Sequence, residues 1–214
     1  MTALLEARRL AKKFGRRVIF SDVDLRLDAG EVVGLLGRNG AGKTTLLRAL
    51  LGFVSPSAGA VVRSIPIRAL GHFGGAATLP PHVFARTWAR LASRGSFASA
   101  DTRQIRALSR GARQLLGLSA VLARPDSRAI LLDEPWEGLD PDGSRWLSES
   151  IGSRRAGGCG FLISSHRLHD LAGLCERYAF LAAGRLTVLR AEDVGSPVGA
   201  GGLVRVFDRL RGGP

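Results

Sequence analysis

Cysteine, lysine and glutamine are scarce in this 214-residue chain, and no apolar run is long. Cys159 and Cys175 are the only cysteines. They show no metal-type spacing, so reduced core thiols fit them better than a disulfide or a zinc site. The apolar runs, such as residues 129–132 and 159–163, fall far short of the ~20 residues a membrane helix needs. Met1-Thr2-Ala3 leads into charged residues rather than the apolar core of a signal peptide, so the expectation is a chain neither exported nor spanning. Carboxylates are missing altogether between Glu31 and Asp101, an interval that holds Arg38, Lys43, Arg48, Arg63, Arg68, Arg86, Arg90 and Arg94. A formal charge of +13 suits nucleic acid, anionic lipid or phosphorylated ligands. A general arginine bias accounts for most of it. Against that bias Lys12, Lys13 and Lys43 are the only lysines, so a chain that writes positive charge as arginine keeps a compact ammonium at position 43.

Lys43 sits in Gly37-Arg38-Asn39-Gly40-Ala41-Gly42-Lys43-Thr44-Thr45, which fits G-x-x-x-x-G-K-S/T. In that pattern glycines let successive backbone N–H groups face one anion, and the helix N-terminus behind them adds partial positive charge. The lysine then reaches the β- and γ-phosphates and the Thr44 hydroxyl ligates Mg²⁺. Context agrees with the motif: residues 31–36 read as a buried strand, and residues 46–51 as a helix closed by Gly52. At this length one α/β domain with a small appended subdomain is the prior.

Residues 4–10 and 18–27 alternate apolar and polar side chains, as antiparallel strands covered on one side do. Between them Phe14 stands beside Gly15 in a basic turn, either to stack on a purine face or to plug the hairpin from below. Residues 60–62 and 67–70 read as short strands returning to the sheet. Residues 71–81 are rich in Gly and Pro, and Phe84, Trp88 and Leu91 then follow at helical spacing opposite Arg86, Arg90 and Arg94. That arginine stripe is a solvated face or a docking face for a partner or lipid headgroups. Leu108-Ser109-Arg110-Gly111-Ala112-Arg113-Gln114 opens a helix running to Ala123, with Ser109 either an N-cap or a holder of phosphate oxygens.

Residues 129–132 form a wholly apolar strand ending in Asp133 and Glu134, an acid pair at the C-terminal tip where parallel α/β sheets bind ligands. Successive strand residues face opposite sides, so the two carboxylates can divide the work: one orders Mg²⁺, the other polarises an attacking water. Asp140-Pro141 caps a helix ended by Gly157-Gly158, and a further buried strand runs into Ser164-Ser165-His166. His166 falls on the ligand side of that strand or serves the structure.

In this order the motifs resemble those of the ATP-binding-cassette (ABC) ATPases, and the chain is similar to the separate nucleotide-binding subunit of a bacterial ABC transporter. The resemblance covers roughly residues 4–189, including the Ala183-Gly184-Arg185-Leu186 turn. It implies an α/β fold: a P-loop NTPase core with a mostly parallel sheet, an N-terminal antiparallel β subdomain and a short helical subdomain. Residues 1–195 would be the ATPase domain, with the helical subdomain at about 76–124, and 196–214 a Gly-rich tail with a docking or packing role. The cofactors implied are ATP and Mg²⁺. Gly37, Arg38, Asn39, Gly40, Ala41, Gly42, Lys43, Thr44 and Thr45 would cradle ATP, Phe14 would stack on adenine, and Thr44 with Asp133 would hold Mg²⁺. Glu134 would activate the hydrolytic water and His166 contact the γ-phosphate. Ser109, Arg110 and Gly111 match the signature that closes on a partner's ATP, and Asp140 the loop residue that speaks across the dimer. The implied partners are a second ATP-binding subunit, in a homodimer, and a transmembrane permease subunit, with no nucleic acid expected and a cytoplasmic location on the inner face of the cell membrane.

The departures from the family pattern are specific. The signature reads Leu108-Ser109-Arg110-Gly111-Ala112 where L-S-G-G-Q is usual. The lid glutamine should fall near residues 73–75, yet Gln104 and Gln114 are the only glutamines, and His72 is the candidate replacement. Two alternatives therefore stand beside a transport ATPase: a catalytically weak regulatory subunit of such a complex, and a soluble ABC ATPase acting on nucleic acid.

Overall fold

The computed structural model describes residues 3–65, 67–70 and 109–194, with side chains of residues 68–70 excepted. The expected amphipathic helix around Phe84, His72, the lid segment 73–75, Leu108, most of the helical subdomain and the tail from 195 lie outside the described residues.

Among the described residues nine strands form two sheets. β1 (Ala3–Phe14) pairs antiparallel with β2 (Arg17–Asp28) and with β4 (Ala58–Arg63), giving a three-stranded sheet of order β2-β1-β4. The hairpin is longer than its alternation suggests, because Lys12, Lys13 and Phe14 keep pairing, with Phe20, Val18 and Arg17. The basic stretch therefore belongs to the strands, and only Gly15 and Arg16 make the turn. Midway the ladder is bulged: Arg9 and Asp22 take φ 46° and 53°, and the Arg9 N–H donates to Asp24 Oδ1 at 2.8 Å. Bulges of this kind raise local twist and let a strand curl over a neighbouring layer.

The second sheet has the order β5-β6-β7-β3-β8-β9, from β3 (Val32–Leu36), β5 (Ile67–Leu70), β6 (Ala129–Asp133), β7 (Gly160–Ser165), β8 (Arg177–Ala182) and β9 (Arg185–Arg190). The first five strands in that order are parallel and β9 is antiparallel to β8. The two short strands read at residues 60–62 and 67–70 thus part company: β4 completes the small sheet and β5 edges the large one. β3, β6 and β7 are buried at every residue, which is why they read as unbroken apolar runs rather than alternating ones. The β8–β9 hairpin turns on Ala183 and Gly184, both at positive φ (48° and 75°), the two-residue geometry that continues strand twist.

Helices cover the large sheet: α1 (Lys43–Leu51), α2 (Arg110–Leu122), α3 (Pro141–Ala156) and the short α4 (Leu168–Leu171), with a 3-10 turn at Glu192–Val194. One core joins the small sheet, α1 and one face of the large sheet through Leu10, Phe20, Leu46, Leu50, Leu131 and Leu162. The other packs Leu118, Trp136, Leu147, Ile151, Phe161 and Phe180 against the opposite face. Cys159 and Cys175 are buried free thiols, and burial pushes both up from their ordinary pKa.

Candidate functional site

β3 lies between β7 and β8 and delivers Gly37 to the C-terminal edge of the sheet. The loop that follows has Gly37 buried, Arg38, Asn39 and Gly40 exposed, and Ala41, Gly42, Thr44 and Thr45 half-buried. Gly42 holds φ 105° as the N-cap of α1, and a Cβ there would come within 2.7 Å of Ile19 Cγ2, so the loop is wedged against β2. Having no side chain, Gly42 leaves the first-turn N–H groups of α1 to an outside acceptor, and the turn carries no acidic residue to compete. Lys43 folds back over the loop: its Nζ donates to Gly37 O at 2.7 Å and to Arg38 O at 3.4 Å, with the side chain 7% exposed.

Two further segments converge on that ammonium. Asp133, buried at the tip of β6, accepts from Thr44 Oγ1 at 2.7 Å and from Ser164 Oγ. Glu134 lies one residue past the strand at φ 49°, a conformation that costs a non-glycine residue energy and is held by its N–H to Ser164 O (3.1 Å) and Oγ (3.0 Å). Its Oε1 is 3.3 Å from Lys43 Nζ, and its Oε2 is 2.8 Å from His166 Nδ1 while accepting the His166 N–H at 3.2 Å. The adjacent carboxylates do face different partners, but through a left-handed backbone at Glu134 rather than through strand alternation.

The other residues singled out from the sequence fall around this centre. Phe14 is 52% exposed at the tip of the β1–β2 hairpin, with Lys12 Nζ 4.7 Å from its ring centroid. It is not a buried plug. Ser109 caps α2 by accepting the Ala112 N–H at 3.1 Å, and Asp140 caps α3 by accepting the Gly143 N–H at 2.7 Å. Arg110 pairs with Glu137 at 2.6 Å, and Gln114 donates to Pro135 O at 3.1 Å. These contacts fasten the start of α2 to the loop just past Glu134.

At that junction Gly111 is required for space: a Cβ there would lie 2.3 Å from Gly138 O. Gly111→Ala is expected to cost about 1–3 kcal/mol by overpacking backbone against backbone. At roughly 2–4 °C per kcal/mol for a domain of this size, a thermal melt reads it directly. Two residues of the site were given no role in the sequence reading. Ser164 is fully buried and joins Asp133 to the Glu134 backbone, and Asp170 packs under the His166 turn. A hydroxyl pair after an apolar strand was the available signal for the first; nothing local marked the second.

A glycine loop between a central parallel strand and a helix, facing an acid pair at the tip of a strand one removed in the same sheet, defines a P-loop nucleotide-binding protein. The family model described as ABC transporter matches residues 20–137, and the chain belongs to the ABC transporter ATP-binding family. It is 33% identical over 217 residues to the lipopolysaccharide export system ATP-binding protein LptB of Acidithiobacillus ferridurans, covering 87% of this chain and 89% of that one. It is 30% identical over 211 residues to the lantibiotic transport ATP-binding protein SrtF of Streptococcus pyogenes, covering 89% and 92%. A solved ATP-binding subunit of an ABC transporter superposes with a TM-score of 0.77 at 23% identity, over 97% of this chain and 99% of that one, which speaks for the fold.

Proposed function

We propose that this chain is the ATP-hydrolysing subunit of a transporter, working as a dimer beneath separate transmembrane permease subunits on the inner face of the cell membrane. The observation that carries the reading is the convergence of Lys43 and His166 on the Glu134 carboxylate beside the glycine loop. No helix among the described residues is long and apolar enough to cross a membrane, and in this reading the membrane-spanning part belongs to the permease partner. The relatives named above are ATP-binding proteins of export or transport systems, which supports this class while leaving the cargo to the permease. In this reading residues 1–195 act as one ATPase unit, of which residues 196–214 are no part.

In this reading the loop N–H groups and Lys43 hold the β- and γ-phosphates. Glu134 takes the proton of the attacking water as the water oxygen bonds to the γ-phosphorus and ADP departs with the electrons of the broken bond. His166 fixes the Glu134 carboxylate and faces the γ-phosphate. The paired hydroxyl of Thr44 and carboxylate of Asp133 are the hard oxygen donors that suit Mg²⁺, which supplies charge neutralisation on the phosphates. Phe14 offers an open ring face to adenine. Ser109, Arg110 and Gly111, with Asp140, complete the site of a second copy. Isologous pairing makes each site composite, so hydrolysis needs both copies.

Purified chain given Mg·ATP is expected to release phosphate at a specific rate that rises with protein concentration, because the dimer is the active form. A rate independent of protein concentration would refute the composite site. Background turnover in wild type, unchanged in Glu134→Gln, would favour the regulatory reading, and salt-sensitive DNA or RNA binding the nucleic-acid one.

A further inference from the structure

Asp170 is a half-buried residue whose largely covered carboxylate the hydrolytic scheme leaves without a task. Its side chain is 7% exposed within the short helix α4. Oδ2 lies 3.4 Å from Ser165 Oγ and 3.4 Å from Arg167 Nε, and Oδ1 lies 3.4 Å from His169 Nε2. Ser165 and Arg167 are the two chain neighbours of His166, so a single carboxylate holds both flanks of that residue. The flanks are also closed on each other: the Arg167 N–H donates to Ser165 Oγ at 2.9 Å, and Ser165 Oγ faces Arg167 O at 3.2 Å. The platform beneath is firm. Leu171 is fully buried and its carbonyl accepts the Tyr178 hydroxyl from β8 at 3.1 Å.

Folding stability alone gives little reason for such a group. Burial pushes the Asp170 carboxyl up, and Arg167 and His169 oppose that shift. A carboxylate taken from water into contacts this long costs about as much as it returns, and α4 is too short to gain from a charge in its first turn. What the arrangement does achieve is to fix the backbone of the Ser165-His166-Arg167 turn, whose centre aims an N–H and a ring nitrogen at the same oxygen of Glu134.

We propose that Asp170 is a positioning residue for hydrolysis: by gripping Ser165 and Arg167 together it sets the turn that presents His166 to Glu134. The proposal rests on reading Glu134 and His166 as the hydrolytic pair. Asp170 touches neither phosphate nor water, so its removal changes the barrier and not the hold on nucleotide, which belongs to the loop between β3 and α1. Misplacement of a catalytic group by about 1 Å costs on the order of 100-fold in rate.

The test compares full-length wild type with Asp170→Ala, Asp170→Asn and Arg167→Gln for kcat, KM for Mg·ATP, ADP affinity by calorimetry, and Tm. Asp170→Ala is expected to lower kcat by roughly 10- to 100-fold while KM and ADP affinity stay within about twofold. Asp170→Asn loses less, because its amide oxygen still accepts from Ser165, and Arg167→Gln loses least and keeps the fold if Asp170→Ala does not. Unchanged kcat in Asp170→Asn and Arg167→Gln would overturn the proposal, as would kcat and ADP affinity falling together with Tm. A readout that needs no turnover is the NMR signal of the His166 ring, assigned through His166→Ala. In wild type it shifts when Glu134 becomes Gln; on the Asp170→Asn background that response is expected to shrink by more than half, and a full response would refute the positioning role. A wild type without turnover would sink the hydrolytic reading while this second measurement still decides the role of Asp170.

Discussion

Glu134→Gln is expected to leave Mg·ATP bound and to reduce its hydrolysis by about 100- to 10,000-fold, the range over which a positioned general base contributes. The substitution is nearly isosteric, and the amide can keep a hydrogen bond to the His166 N–H, which donates at 3.2 Å to Oε2 in the native site. What goes is the charge that lies 3.3 Å from Lys43 Nζ and the basicity that would take a proton from water. Affinity should therefore hold or rise slightly, since a carboxylate facing the γ-phosphate repels it and an amide does not. If pairing of two copies precedes hydrolysis, ATP-loaded Glu134→Gln should also accumulate as a dimer on size-exclusion chromatography, whereas ADP-loaded protein should not. The measurement that checks both is phosphate release beside elution volume. A kcat within about threefold of wild type would remove Glu134 from the chemistry.

The parts of this site that were legible in the sequence are those whose signal is local. Gly37 to Thr45 announces itself by residue type alone, and the apolar runs of β3, β6 and β7 mark strands buried on both faces, so the acid pair at the end of β6 could be placed at a sheet tip without coordinates. Of the helix caps Asp140 was equally plain and Ser109 was one of two readings, each accepting a backbone N–H three residues on. What could not be read is whatever depends on strand order or on a single backbone torsion. That β6 and β3 both neighbour β7, bringing Asp133 to Thr44, is a fact of topology. The bend that turns Glu134 toward Lys43 is a positive φ at a residue with no glycine to advertise it. Asp170 has the same invisibility, because a lone acid in a polar stretch resembles any solvated aspartate until the chain around it closes.

Lys43→Ala should have its largest effect at the earlier step, binding. The ammonium is 7% exposed and held by Gly37 O at 2.7 Å, so it is already oriented over the loop before nucleotide arrives and gives up little conformational freedom on binding. Charge-assisted hydrogen bonds contribute about 1.5–3 kcal/mol each. Losing one or two from a triphosphate predicts an ATP affinity weaker by roughly 10- to 10,000-fold, with ADP losing less because it lacks the γ-phosphate. Stability should change less than affinity: alanine favours the first turn of α1, while Glu134 loses the cation 3.3 Å away. Lys43→Arg separates charge from shape. A planar guanidinium cannot reproduce a compact donor tucked between Gly37 O and Glu134 Oε1, so it should recover less than a tenth of the lost affinity. Calorimetric titration with ATP and ADP on both variants gives the answer, and full recovery in Lys43→Arg would mean that net charge near the loop, rather than a positioned ammonium, holds the phosphates.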